Sequence, residues 1–167
     1  MKSLAVAATL ALAFVTFALA PSSATAFGLS AIGGRVGSVD PEGADGAFMA
    51  GGHLEFEQYG TQFHLQPGVM FWSSGNVSDV NPNFDVMYHF HRSGKMSPYL
   101  GAGMGVHFYS FDSPGANGTN TDIGANLFGG LLIPANTLRL FVEGRYVASD
   151  RSQAMITGGV TVPLGHH

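Results

Sequence analysis

Through most of this chain, every second residue avoids charge, and that alternation constrains the fold more than any other feature. One parity carries Phe48, Ala50, Gly52, Leu54 and Phe56, then Phe63, Leu65, Pro67, Val69 and Phe71. Taken at every second position, it continues through 84–90, 100–108, 123–133, 138–146 and 154–164 without a charged residue. The charges of these segments, Glu55, Glu57, Asp85, Asp122, Arg139, Glu143 and Arg145, all fall on the other parity. A period of two is the repeat of a β-strand, whose side chains alternate between faces. Turn residues punctuate the pattern, and the spacing predicts strands near 28–38, 47–57, 61–72, 84–91, 98–110, 121–133, 137–147 and 153–164. The first of these is the least regular, and only Arg35 indicates which of its faces points inward.

An apolar face of this kind lines the core of a soluble sandwich or lipocalin-like barrel, or else it faces lipid. The opposite face decides between them. It holds Gly101, Gly103, Gly105, Gly124, Gly130 and Gly159 with His53, His64, Gln66, Asn126 and Thr157. Water-exposed strands would carry more Lys, Glu and Thr. The narrow interior of an eight-stranded barrel instead needs small residues opposite large ones. The glycines of the fifth strand should leave room for Met87, Phe128, Phe141 and the arginines. Composition agrees, since charged residues are 11% of the chain, against roughly 25% in soluble domains. The strands match the roughly 9–11 residues a tilted strand needs to cross a bilayer, and their number is even, as in bacterial barrels. The expected fold is therefore a closed antiparallel eight-stranded transmembrane β-barrel with a packed polar lumen.

Two further patterns fit that expectation. Phe48, Phe71, Phe84, Phe108 and Tyr146 fall toward one end of their strands, and Phe56, Phe63, Tyr88 and Phe90 toward the other, as in interfacial aromatic girdles. The connections 40–45, 73–83, 111–120 and 149–152 are mostly longer than 58–60, 92–97 and 134–136. Long outer loops and short periplasmic turns would place the N-terminus in the periplasm, with 110–120 the most exposed segment. Residues 1–26 read as a cleavable secretory signal: Lys2, an apolar run from Leu4 to Ala20, and Ala24-Thr25-Ala26 as an A-x-A site before Phe27. Residues 27–167 would then be the barrel, inserted in the outer membrane.

Val39-Asp40-Pro41-Glu42 with Ala44-Asp45-Gly46, Ser97–Gly105, Phe141–Tyr146 and Gly158–Val162 together resemble the small outer-membrane β-barrel superfamily of OmpA-type and OmpW-type domains. The resemblance covers residues 27–164 at the level of fold and brings no catalytic motif. It implies outer-membrane lipids and the outer-membrane assembly machinery as partners. Such proteins usually end in an aromatic residue, whereas this sequence ends Pro163-Leu164-Gly165-His166-His167.

Candidate sites are few. Arg139, Glu143 and Arg145 share the inward parity of one strand, with Glu55, Asp85 and Asp122 as possible carboxylate partners. They form either a charge network filling the lumen or an ion path. His53, His64, His89 and His107 also point inward, and a tight second hairpin would set His53 opposite His64. They are read as hydrogen-bonded lumen residues, with no metal or other cofactor expected. His91-Arg92-Ser93 faintly resembles the His-x-Ser element of lipid A deacylases, but it falls in turn-forming sequence. A net charge of −4 and no basic patch argue against nucleic acid, and the absence of cysteine removes thiol chemistry. The expected role is structural or surface-interacting, without catalysis. A narrow channel or transporter of small hydrophobic ligands is one alternative, and a lipid-modifying barrel enzyme is another.

Overall fold

The computed structural model describes residues 27–164 apart from 59, 91–95 and 114–115. The expected signal segment 1–26, the turn holding His91-Arg92-Ser93 and the terminal His166 and His167 lie outside the described residues. Eight strands follow in order: β1 (Phe27–Pro41), β2 (Ala47–Gln58), β3 (Phe63–Ser74), β4 (Val77–His89), β5 (Ser97–Ser113), β6 (Ala116–Ala135), β7 (Leu138–Ala148) and β8 (Gln153–Pro163). Each pairs antiparallel with its neighbour in sequence, and β8 returns to β1 to close the barrel. Closure leaves no strand edge unpaired, which a sheet in lipid requires.

The apolar parity faces outward. Phe48, Leu127, Ile156, Met104 and Ile123 are each at least 62% exposed, while Arg35, Glu55, Asp85, Glu143 and Arg145 are at most 5% exposed. This is the reverse of a soluble core and matches a lipid-facing wall around a filled interior. The irregularity of the first strand has a local cause. A bulge between Leu29 and Ala31 shifts the register against β2, so adjacent Ser30 and Ala31 are both buried and the alternation breaks there.

Two expected loops are strands instead. Residues 77–83, read as part of a connection, form the first half of β4 and pair with β3 up to a tight turn at Gly75, where φ is +56°. Residues 111–113 and 116–120 likewise extend β5 and β6, with Ser113 paired to Ala116. The segment 110–120 is thus mainly a paired hairpin. Their Asp, Asn and Ser residues imitate turn composition, but backbone pairing satisfies the peptide groups that composition had assigned to loops. Phe84, expected near a strand end, consequently sits in the middle of the lengthened β4.

The lumen is layered, not uniformly polar. Val39, Met49, Met70, Trp72, Tyr109, Val147 and Met155 form an apolar cluster toward the end shared by the β1–β2, β3–β4, β5–β6 and β7–β8 connections. Met87, Tyr99, Phe128, Leu132 and Phe141 cluster toward the opposite end, where both described termini lie. Inward glycines make this filling possible. A Cβ on Gly101 would strike the Phe128 ring, one on Gly159 the Phe141 ring, and one on Gly103 the Asp85 carboxylate. Room for Phe141 therefore comes from β8 and not, as expected, from the fifth strand.

Candidate functional site

Between the two apolar layers lies an ion-pair network contributed by four strands, β1, β2, β4 and β7. Glu143 on β7 is its hub. One of its carboxylate oxygens accepts from Arg35 Nη1 at 2.8 Å and from Arg145 Nε at 3.0 Å. The other accepts from the Tyr99 hydroxyl at 3.0 Å. Arg145 continues to Asp85 through Nη1 at 2.7 Å, and the Asn126 amide donates to the remaining oxygen of Asp85 at 2.9 Å. The Arg145 guanidinium also lies over the Phe128 ring, 4.1 Å from its centroid. Arg35 donates through Nη2 to Gln66 Oε1 at 2.7 Å. Toward the end bearing the termini, Arg139 donates to Glu55 at 2.8 Å.

These contacts follow from closure. Thr157 and Gly159 on β8 stand opposite Glu143 and Arg35 respectively. Neither is bulky enough to keep the two charged side chains of the flanking strands apart. Three arginines and the three carboxylates of Glu55, Asp85 and Glu143 thereby neutralise one another where neither sign could stand alone.

Asp122 is not part of this network. It lies in the half of β6 nearer the β5–β6 hairpin, opposite His107, accepting from the backbone amides of Ile123 and Asp150 at 2.7 and 2.9 Å, and so fastens the β7–β8 turn. Its inward parity was legible, but not its height along the barrel axis. Arg35 and Tyr99, absent from the expected network, are central to it. Arg35 is the lone charge of the expected first strand, 28–38, and that isolation was the available signal.

The four histidines separate into different environments. His53 stands opposite Gly68 and not His64, because the β2–β3 register places His64 against Glu57. His53 Nε2 lies 3.7 Å from Glu55, and its ring meets Phe141 edge-on. His64 instead stacks on His89 with centroids 4.0 Å apart. His107 belongs to a second polar group within the far apolar layer. Its Nδ1 is 2.7 Å from Asp79, and Gln153 Nε2 lies within reach of Asp79 at 3.3 Å and of the Tyr109 hydroxyl at 2.8 Å. The Trp72 indole donates to Gln153 Oε1 at 3.2 Å. Asp79 lay in the segment misread as a loop, which hid this group from a reading of the sequence.

Of the expected interfacial aromatics, Phe48, Phe63, Phe71, Phe84, Phe90 and Tyr146 are exposed on the outer wall and Phe108 is half-buried. Phe56 is the exception. It is only 9% exposed, flanked across the strands by Leu29 and Leu65.

No protein-family model and no curated protein matches the chain. Solved structures do. Neisserial surface protein A superposes with a TM-score of 0.71 at 14% identity, over 81% of this chain and 97% of that one. The N-terminal β-barrel domain of Pseudomonas aeruginosa OprF gives 0.67 at 16% identity, over 82% and 99%. The outer membrane enzyme PagL gives 0.53 at 14% identity, over 80% and 99%. The outward apolar wall, the eight-strand closure and these superpositions agree, and the chain has the fold of the small outer-membrane β-barrels.

Proposed function

We propose that the protein resides in the outer membrane and serves a structural or surface-interaction role through the wall and hairpins it presents. Its lumen is filler in this reading, neither a conduit nor a catalytic chamber. The observation that carries it is the packing at the centre of the barrel. The cavity bounded by Arg35, Glu55, Gln66, Tyr99, Phe141 and Glu143 measures about 10 Å³. That is at the lower limit for one water molecule, whereas a conducting path needs a continuous file of them. Ion pairs crossing the lumen between β1, β2, β4 and β7 tie opposite walls together, which suits a rigid platform. Lipids of the outer membrane would contact the apolar wall, and the outer-membrane assembly machinery would insert the barrel. The test is single-channel recording on the full chain in planar bilayers. Silent membranes containing folded protein are expected, and resolved unitary steps would favour the channel reading instead.

A further inference from the structure

The first half of β6 is paired on one side only. Its ladder to β7 begins at Ala125, opposite Ala148, the residue at which β7 ends. Its ladder to β5 runs on past that point, from Gly124 out to Ala116. The β7–β8 turn covers the root of this overhang, where the Asp150 amide donates to Asp122 at 2.9 Å. Beyond the turn, no strand among the described residues pairs with the free edge of Asn117-Gly118-Thr119-Asn120-Thr121. Exposed edges are ordinarily blunted by lysine, proline, a bulge or a covering segment. This one is not. Residues 117–121 carry no charge and no proline, their pairing to β5 keeps an unbroken register, and Gly118 through Thr121 are exposed.

We infer that this edge is an adhesive surface for a second copy of the chain, two β6 strands pairing antiparallel about a two-fold axis at Thr119 and so joining barrels in two apposed membranes. This contact deepens the surface-interaction reading above and stands only if that reading does. An added strand takes the line that β7 vacates, so it continues the barrel's own sheet. With the axis at Thr119 the new ladder stays within the open stretch. Thr119 then stands opposite its own copy, Gly118 opposite Asn120 and Asn117 opposite Thr121. Paired threonines across strands attract, and no like charges face one another. The two Asp122 carboxylates fall three positions to either side of the axis. At the rise of a strand that is about 20 Å, well beyond the roughly 8 Å screening length of physiological salt.

Geometry excludes the same pairing within one membrane. Copies there point the same way and are related by an axis along the membrane normal. Such an axis turns a strand tilted by about 35–45° into one that crosses it at about 70–90°, where no ladder forms. An axis perpendicular to the sheet gives the antiparallel ladder but inverts the second barrel, which is the arrangement of two membranes face to face. A five-residue ladder is weak alone, and many copies on each membrane supply the avidity.

The test has two arms, both on the full chain. Gram-negative cells displaying it should clump with one another and not with cells lacking it. Clumping should be stronger at physiological than at low ionic strength, because the acidic turns of the two copies repel. Thr119→Lys sets like charges face to face on the axis and should abolish clumping, whereas Thr119→Val, uncharged and β-branched, should keep it. The second arm uses phosphatidylcholine nanodiscs holding one barrel each, with both faces accessible. The chain has no cysteine, so single cysteines read the register, and a Cβ at Gly118 meets nothing within 4 Å. Under mild oxidation Thr119→Cys should join two discs through itself, while Gly118→Cys and Asn120→Cys should crosslink only with each other. Four results would overturn the contact and leave the barrel reading intact: no clumping by surface-exposed wild type, clumping with cells lacking the chain, clumping that survives Thr119→Lys, or equal self-crosslinking at all three positions. A chain that enters neither the outer membrane nor the discs would overturn both.

Discussion

Neighbouring residues on β7 show how differently two adjacent positions are constrained. Val142 is 53% exposed on the outer wall, and Glu143, one step on, is buried at the hub of the lumen network. Replacing Glu143 with Gln keeps its shape but leaves Arg145 with Asp85 and Arg35 with only the neutral oxygen of Gln66 as a strong acceptor. Breaking a buried pair from one side costs about 3–5 kcal/mol, and urea unfolding in vesicles should show a loss of that order. Adding Arg35→Met should recover part of it, because the two residues are coupled. Val142→Arg should cost about 2–4 kcal/mol, the penalty for a lipid-facing arginine near the midplane of a barrel. A soluble barrel would give the opposite ranking, with Glu143→Gln within about 0.5 kcal/mol as a surface change. The inward facing of Glu55, Asp85, Arg139, Glu143 and Arg145 was legible from parity alone. Their partners were not. Arg35 and Glu143 are 108 positions apart and meet only because β8 closes onto β1.

Among the elements, β4 shows most clearly why strand limits were harder to read than strand facing. Its first half alternates inward Asp79, Asn81 and Asn83 with outward Val80 and Pro82. Carboxylate, amides and proline together read as turn chemistry. In a polar lumen the same residues are ordinary strand interior, so loop composition and lumen composition coincide. Pro82 interrupts the ladder to β5, whose pairing lapses between Val80–Phe108 and Asn83–Gly105. The register places Val106 opposite Pro82, which has no amide to offer its carbonyl. The Asn81 side chain donates to that carbonyl instead, at 3.2 Å. Gly105 makes space for it, since a Cβ there would lie 2.5 Å from the Asn81 amide nitrogen. Asn81→Leu should therefore strand a buried acceptor and cost about 1–3 kcal/mol. With Pro82→Val in place, a backbone amide can serve Val106, and the same Asn81→Leu change should cost measurably less. Equal costs in both backgrounds, measured by unfolding in vesicles, would show that the side chain is not substituting for the missing donor.

At the scale of the whole barrel, the length of the connections does not set the orientation. The connections at 73–83 and 111–120 that looked long are largely paired strand, so tight turns occur at both ends. What remains asymmetric is strand overhang and charge. β5 and β6 run 17 and 20 residues, well beyond the roughly 9–11 a tilted strand needs to cross the hydrocarbon. Their hairpin projects from the end that also carries Asp40, Glu42, Asp45, Asp122 and Asp150. The described termini, Phe27 and Leu164, lie at the other end, joined by the bond from the Leu164 amide to the Ser30 carbonyl. In single-chain bacterial barrels the longer connections face outward and the short turns face the periplasm, so the projecting acidic end should be extracellular. Two turn glycines at opposite ends make this measurable. Gly43, between β1 and β2, and Gly60, between β2 and β3, have φ of +81° and +79°, and an added Cβ meets nothing within 4 Å at either. Open space around both sites favours insertion of a short epitope without disturbing the ladders. On intact cells, antibody should bind the epitope at Gly43 and reach the one at Gly60 only after the envelope is permeabilised. Labelling of Gly60 alone on intact cells would turn the molecule over, placing the acidic hairpins in the periplasm and the mouth bearing His64 and His89 at the surface.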